Sequence, residues 1–197
     1  MTYSASSNSG SSTRSTTLTV AGQTFTVNES GQTSPAIFNS HDFNGDGKPD
    51  LLWRHQTAGS IGVWFMNGGT TMASSSMLTP SSVTDLDWQI VCIADFNSDG
   101  KPDILWQHQT TGQMNVWFMN ETAMTSSTLL TPSSVGDTNW KVVGFTDFNG
   151  DGHPDLVWQH QTAGTIAVWF MNGTTMTSST LFIPGVVSDT NWKIVGR

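Results

Sequence analysis

Cysteine is almost absent from this chain of 197 residues: Cys92 stands alone, which excludes an internal disulfide and a cysteine-built zinc cluster. It lies in the apolar run Gln-Ile-Val-Cys-Ile-Ala (89–94), where a buried, inert thiol is expected rather than a nucleophile. Charge is scarce too, at 11% of residues, and only seven side chains are lysine or arginine. With no basic patch, nucleic-acid binding is set aside. No run of about 18 apolar residues exists, so no membrane-spanning helix and no membrane insertion are expected. The start, Met1-Thr-Tyr-Ser-Ala-Ser-Ser, lacks the basic and apolar parts of a secretory signal. Apolar residues never keep helical spacing over several turns, while glycine, serine, threonine and asparagine abound. An all-β chain with almost no helix follows.

Against these absences stand three copies of one acidic loop: Asp42-Phe-Asn-Gly-Asp-Gly-Lys-Pro-Asp50, Asp95-Phe-Asn-Ser-Asp-Gly-Lys-Pro-Asp103 and Asp147-Phe-Asn-Gly-Asp-Gly-His-Pro-Asp155. Oxygen-bearing side chains fall at loop positions one, three, five and nine, and glycine at six permits the bend that wraps a hard cation. Three Ca²⁺ sites are expected. Nine of the fifteen carboxylates lie in the loops, so three divalent ions would bring the formal charge from -8 to about -2. Sites of this kind suit millimolar extracellular calcium. The expected location is therefore extracellular, secreted or at the cell surface, and the missing signal suggests a truncated or excised chain.

The loops belong to a longer repeat, of 53 and then 52 residues, in which each is followed by similar text: Leu51-Leu-Trp-Arg-His-Gln, Ile104-Leu-Trp-Gln-His-Gln and Leu156-Val-Trp-Gln-His-Gln. All nine tryptophans obey it, as Trp53, Trp106, Trp158; Trp64, Trp117, Trp169; and Trp88, Trp140, Trp192. Such a period built from short strands is the signature of β-propeller blades. The last repeat parses into strands at 140–146, 156–161, 166–171 and 176–183. The glycine-bearing turn Thr162-Ala-Gly-Thr joins the second to the third, Asn172-Gly173 makes a tight hairpin, and Pro184, like Pro80 and Pro132, is expected to stop the fourth strand. Alternation puts Leu156, Trp158 and His160 on one face and Val157, Gln159 and Gln161 on the other, so both faces are expected to be covered by neighbouring blades.

The expected organisation is a segment 1–34, then repeats at about 35–87, 88–139 and 140–191, and Trp192-Lys-Ile-Val-Gly-Arg197 as the first strand of a fourth. Within the first segment, Thr16 to Asn28 alternates about Ala21-Gly22 as a β-hairpin after a serine-rich stretch, and residues 29–35 form a linker. Ala36-Ile-Phe-Asn-Ser-His41 stands where blade one needs its first strand, without the tryptophan. Three four-stranded antiparallel blades form an incomplete ring, given the usual four to eight. Further blades from a longer chain, or self-assembly of several copies, are the expected complements.

The Asp-x-Asn-x-Asp-Gly-x-x-Asp loops followed by Leu-Leu-Trp or its variants closely resemble the VCBS and FG-GAP-like repeats, the calcium-loop blades also seen in integrin α-chain propellers. The resemblance covers about residues 36–197. It implies calcium ligation by Asp42, Asn44, Asp46 and Asp50 with the carbonyl of Lys48; by Asp95, Asn97, Asp99 and Asp103 with that of Lys101; and by Asp147, Asn149, Asp151 and Asp155 with that of His153. Asparagine at position three, where aspartate is commoner, removes one charge per site and argues for weaker binding. An EF-hand is excluded because position twelve holds Trp53, Trp106 or Trp158 instead of glutamate. The hairpin Leu-Thr-Val-Ala-Gly-Gln-Thr-Phe-Thr-Val (18–27) is similar to the closing strands of a BACON-type immunoglobulin-like domain, a family linked to bacterial carbohydrate binding.

His55, His108 and His160 fall in different blades and are expected to be hydrogen-bonded strand residues rather than zinc ligands, while His41 and His153 lie out of register. Most tryptophans are expected to pack between blades, with Trp88, Trp140 and Trp192, at strand ends, as candidate ligand-binding residues that could stack on sugar rings. Outside the loops the carboxylates are Glu29, Asp85, Asp87, Glu121, Asp137 and Asp189, and no pair breaks the repeat as a glycosidase site would. The expected function is a non-catalytic, calcium-binding extracellular β-propeller module for adhesion or carbohydrate binding. Two rivals stand beside it: an accessory module of a larger secreted carbohydrate-active hydrolase, and a structural spacer without ligand.

Overall fold

The computed structural model describes residues 14–20, 23–29 and 41–195, and among them every regular element is a β-strand. Strand β1 (Arg14–Val20) pairs antiparallel with β2 (Gln23–Glu29), the hairpin expected from the alternation there.

The remaining strands form blades. Blade one contains β3 (Leu51–Arg54), β4 (Ser60–Met66) and β5 (Met72–Ser82) among the described residues; residues 36–40, where its first strand was expected, lie outside them. Blade two comprises β6 (Trp88–Ala94), β7 (Asp103–His108), β8 (Gln113–Asn120) and β9 (Ala123–Ser134). Blade three repeats it with β10 (Trp140–Thr146), β11 (Asp155–His160), β12 (Thr165–Asn172) and β13 (Thr175–Val186). Within each blade the strands pair antiparallel in chain order, and the array does not close on itself.

Two turn positions explain why the meander folds so regularly. The outer hairpins turn on a positive φ at Gly68 (67°), Glu121 (55°) and Gly173 (59°), the geometry a tight antiparallel connection needs. Between the second and third strands, Gly164 has φ 67° and a Cβ there would collide with the Val187 carbonyl, so glycine is obligatory.

The prolines do not end the outer strands. Strands β5, β9 and β13 run on through Pro80, Pro132 and Pro184, because an edge strand can tolerate a residue without an N–H. Around Pro80 and Pro132 the strand leaves its own ladder and touches the next blade: Thr79 N–H donates to the Thr122 carbonyl (2.8 Å), and Thr131 N–H to that of Thr174 (2.9 Å). The ladder resumes beyond, with Ser82 opposite Ser60 and Ser134 opposite Gln113. Trp192–Val195 also departs from expectation. It is held to blade three but forms no strand, since among the described residues it has no partner to pair with.

Hydrophobic burial lies between blades rather than within them. Ile61, Val63 and Leu78 of blade one meet Ile104 and Trp106 of blade two, with Phe43 from the first loop. Leu105, Met114, Val116 and Leu130 on the opposite face of blade two meet Leu156 and Trp158 of blade three, with Phe96 from the second loop. Every residue of β7 is buried, as alternation with two covered faces requires. Cys92 is buried in the second cluster, and burial pushes its thiol pKa up, which makes it unreactive.

Candidate metal centres

Each acidic loop joins the first-strand position of a blade to its second strand and is folded around its own carboxylates. At position one, Asp42 Oδ1 accepts from the Gly45 (2.8 Å) and Asp46 (3.1 Å) amides, and Oδ2 from Gly47 (2.7 Å). Asp147 takes the corresponding amides of Gly150, Asp151 and Gly152, and Asp95 those of Asp99 and Gly100. Asn44, Asn97 and Asn149 each accept from the amide two residues on, as do Asp46, Asp99 and Asp151. These turns need positive φ at positions four and six; glycine supplies it except at Ser98 (60°). Lys48 and Lys101 reach across to Asn67 and Asn120 at the hairpin tips, fixing the position-seven backbone beside the loop.

The ninth position is different in kind. Asp50, Asp103 and Asp155 are 1%, 0% and 0% exposed, and each spans two segments with one carboxylate. Oδ2 accepts from the Phe43, Phe96 or Phe148 amide of its own loop, at 2.9–3.0 Å. Oδ1 accepts from the Met66, Met119 or Met171 amide of the third strand, also at 2.9–3.0 Å. The sequence marks these residues as ligands but gives no hint that they also tie the loop to the blade. The surrounding potential is negative. Burial pushes the Asp103 carboxyl up to about 7, with Asp99 and Asp95 adding to the effect while the two amides oppose it; Asp155 is raised for the same reasons.

The donor set fits a hard divalent cation. It is entirely oxygen, three carboxylates and an amide per loop, and the buried carboxylate faces like charge that a cation would offset. Amide hydrogen bonds to the position-one carboxylate leave a lone pair free on Oδ2, which accepts a single amide in each loop. The carboxylates of one loop are nonetheless spread. Among the described residues, the trio of acidic or imidazole ligand atoms within 4.8 Å of one another is Asp85, Asp87 and His108, outside the loops.

That trio is one form of a repeated clasp. His108 Nε2 lies 3.1 Å from Asp85 and His160 Nε2 2.8 Å from Asp137, while each Nδ1 accepts backbone amides of the following turn. The ring proton is thereby placed on Nε2, donating to the carboxylate. His55 makes the turn contacts through Nδ1 but is exposed and His160 is half-buried, so of the three histidines expected to be buried in strands only His108 is. Trp88 and Trp140 are half-buried and meet His108 and His160 edge-on at 4.9 and 5.1 Å; Trp192 is 70% exposed. The repeat is also broken where blade one meets blade two. Arg54 stands where the other blades have Gln107 and Gln159, lying 5.3 Å from the Trp106 ring centre, and Asp87 replaces the asparagine found at 139 and 191.

Fold and loops together define an array of β-blades, each with an acidic loop between its first-strand position and its second strand. Residues 42–106 match the family model described as FG-GAP-like repeat, and residues 139–169 match that of the FG-GAP repeat. Both matches are to FG-GAP-type repeats, the family that the acidic loops resemble. Repeats of this kind occur in extracellular, adhesion-type β-propeller domains and commonly bind calcium. A search of the curated proteins and one of the solved structures each give no match.

Proposed function

We propose that this chain is a non-catalytic, calcium-stabilised β-propeller module acting outside the cell, where it binds a ligand, with carbohydrate as the favoured class. The observation that carries the reading is the threefold recurrence of one all-oxygen loop, in two copies of which the ninth aspartate's carboxyl is raised by burial first and by the neighbouring carboxylates in addition. Three ions would neutralise most of the charge gathered there and hold the loops rigid against the blades.

The ligand class draws on a cleft of about 530 Å³ between blades two and three, lined among others by Trp140, Trp158, Trp169, Asp137, Ser179 and Thr180. The half-buried indoles of Trp140 and Trp169 beside hydroxyls and a carboxylate suit the amphipathic ring of a sugar, with Trp158 buried beneath them. Serving as an accessory module of a secreted carbohydrate-active hydrolase is the second reading, and the same cleft would then hold the polysaccharide.

Glycan-array binding with calcium and with chelator tests the proposal. Retention of one glycan class that requires calcium and is lost in Trp140→Ala is the expected result. Hydrolysis of a polysaccharide by the purified chain, or calorimetry without heat on Ca²⁺ addition, would overturn it.

A further inference from the structure

The outward face of blade one and the rim of that of blade three carry the two halves of the contact already made twice inside the molecule, while at the centre of the latter Val157 and Val168 are already buried. On the side of blade two that meets blade one lie Ile104, Trp106 and Trp117; on the side of blade three that meets blade two lie Leu156, Trp158 and Trp169. Blade one carries the same set, Leu51, Trp53 and Trp64, on its outward face. These three are 46%, 49% and 43% exposed, whereas Ile104 and Trp106 are 0% and 1%.

The opposite surface repeats in the same way. Phe43 and Phe96, the second residues of their loops, are 2% and 1% exposed beneath the following blade. Their counterpart Phe148 is 46% exposed. The outer clasp shows the same pattern: Thr79 and Thr131 donate to the hairpins at Thr122 and Thr174, while Ile183, in their place on blade three, is 100% exposed. Thr70 occupies the hairpin position of Thr122 and Thr174 in blade one. Finally, Trp88 and Trp140 each meet a histidine edge-on, whereas Trp192 is exposed with no such histidine among the described residues and His55 is exposed with Pro35 at the tryptophan's place in the repeat.

From this we infer that the chain associates head to tail with a second copy of itself, the Phe148–Ile183 face of one copy seating on the Leu51–Trp53–Trp64 face of the other as a further blade-to-blade contact. The occupant is a second copy because each open surface finds its proven complement on the same chain. Such a contact is heterologous, and it ends in a ring only if the rotation per blade closes. Two copies of three blades make six, within the roughly four to eight of closed propellers.

Sedimentation velocity and light scattering of the whole chain in calcium buffer, from low to high micromolar concentration, read the association. The wild type is expected to form a discrete assembly of integral stoichiometry. Trp53→Asp blocks one face and Phe148→Asp combined with Ile183→Asp blocks the other. All three positions are exposed, so the fold is expected to survive, and circular dichroism checks it. Each blocked chain alone is expected to bind itself at least tenfold more weakly, yet an equimolar mixture should form a one-to-one dimer, since each retains the face the other lacks. If Trp53→Asp disturbs the fold, Leu51→Asp replaces it. A wild type that stays monomeric throughout overturns the inference, as does self-association of either blocked chain at wild-type strength or a mixture that remains monomeric.

Discussion

At the scale of single residues, the nine loop aspartates divide by what their oxygens already hold. Asp99 is exposed and accepts from neighbouring loop groups, whereas Asp103 is fully buried and bonded to amides of two separate segments. Their alanine variants should therefore differ. Asp103→Ala leaves two buried N–H groups unpaired and is expected to lose about 2–5 kcal/mol with or without calcium. Asp99→Ala is expected to lower the melting temperature in calcium and leave the chelated protein almost unchanged. Thermal melts of both variants in calcium and in chelator check this, and equal loss for Asp99→Ala in the two conditions would count against ligation. The sequence exposes the loop pattern because ligand spacing is local. It hides the strut role of Asp50, Asp103 and Asp155 because their second partner lies 16 residues away on another strand.

Among elements, the turn that enters the first strand of blades two and three is locked to the end of the second strand by the aspartate–histidine contact. Asp137 accepts from the Asn139 amide and from His160, and those hydrogen bonds hold its carboxyl down to about 2. A depressed folded value means that this contribution to stability is complete above the ordinary aspartate value near 4 and disappears as pH falls through about 2. Carboxyl-carbon NMR should give a folded midpoint near 2 for Asp137. In His160→Gln it should rise only part of the way, because the backbone bond from Asn139, the larger cause, remains. The strand positions themselves were legible, since Trp140–Thr146 is the strand that alternation marks. The run through Pro80, Pro132 and Pro184 was not legible, because the sequence does not show that these edge strands turn toward the next blade at that point. Nor did the strong register of the tryptophans suggest that Arg54 and Asp87 depart from the repeat together.

The whole molecule is a stack in which each blade completes the core of its neighbour, so the same residue type has a different weight at each level. Trp158 is 1% exposed between blades two and three, and Trp158→Ala is expected to cost about 3–5 kcal/mol in denaturant titrations. Trp53 occupies the equivalent position on an open face, and Trp53→Ala is expected to cost under about 1 kcal/mol in dilute monomer, where no partner covers it. Comparable losses for both would contradict a stack with one open end. Repetition in the sequence made the blades and their mutual covering readable. It could not show which copies lie at the ends, because the residues are the same and only their surroundings differ.

The acidic loop lies inside a blade, between its first-strand position and its second strand, and its three copies are nearly identical. Unequal genetic crossover between two such loops would therefore splice the entry strand of one unit onto the remainder of another and produce a chimera whose two sides still match both flanking units. Whole units can thus be gained or dropped in one event with no surface left mismatched, so that reach and curvature become quantities that lineages can vary by counting.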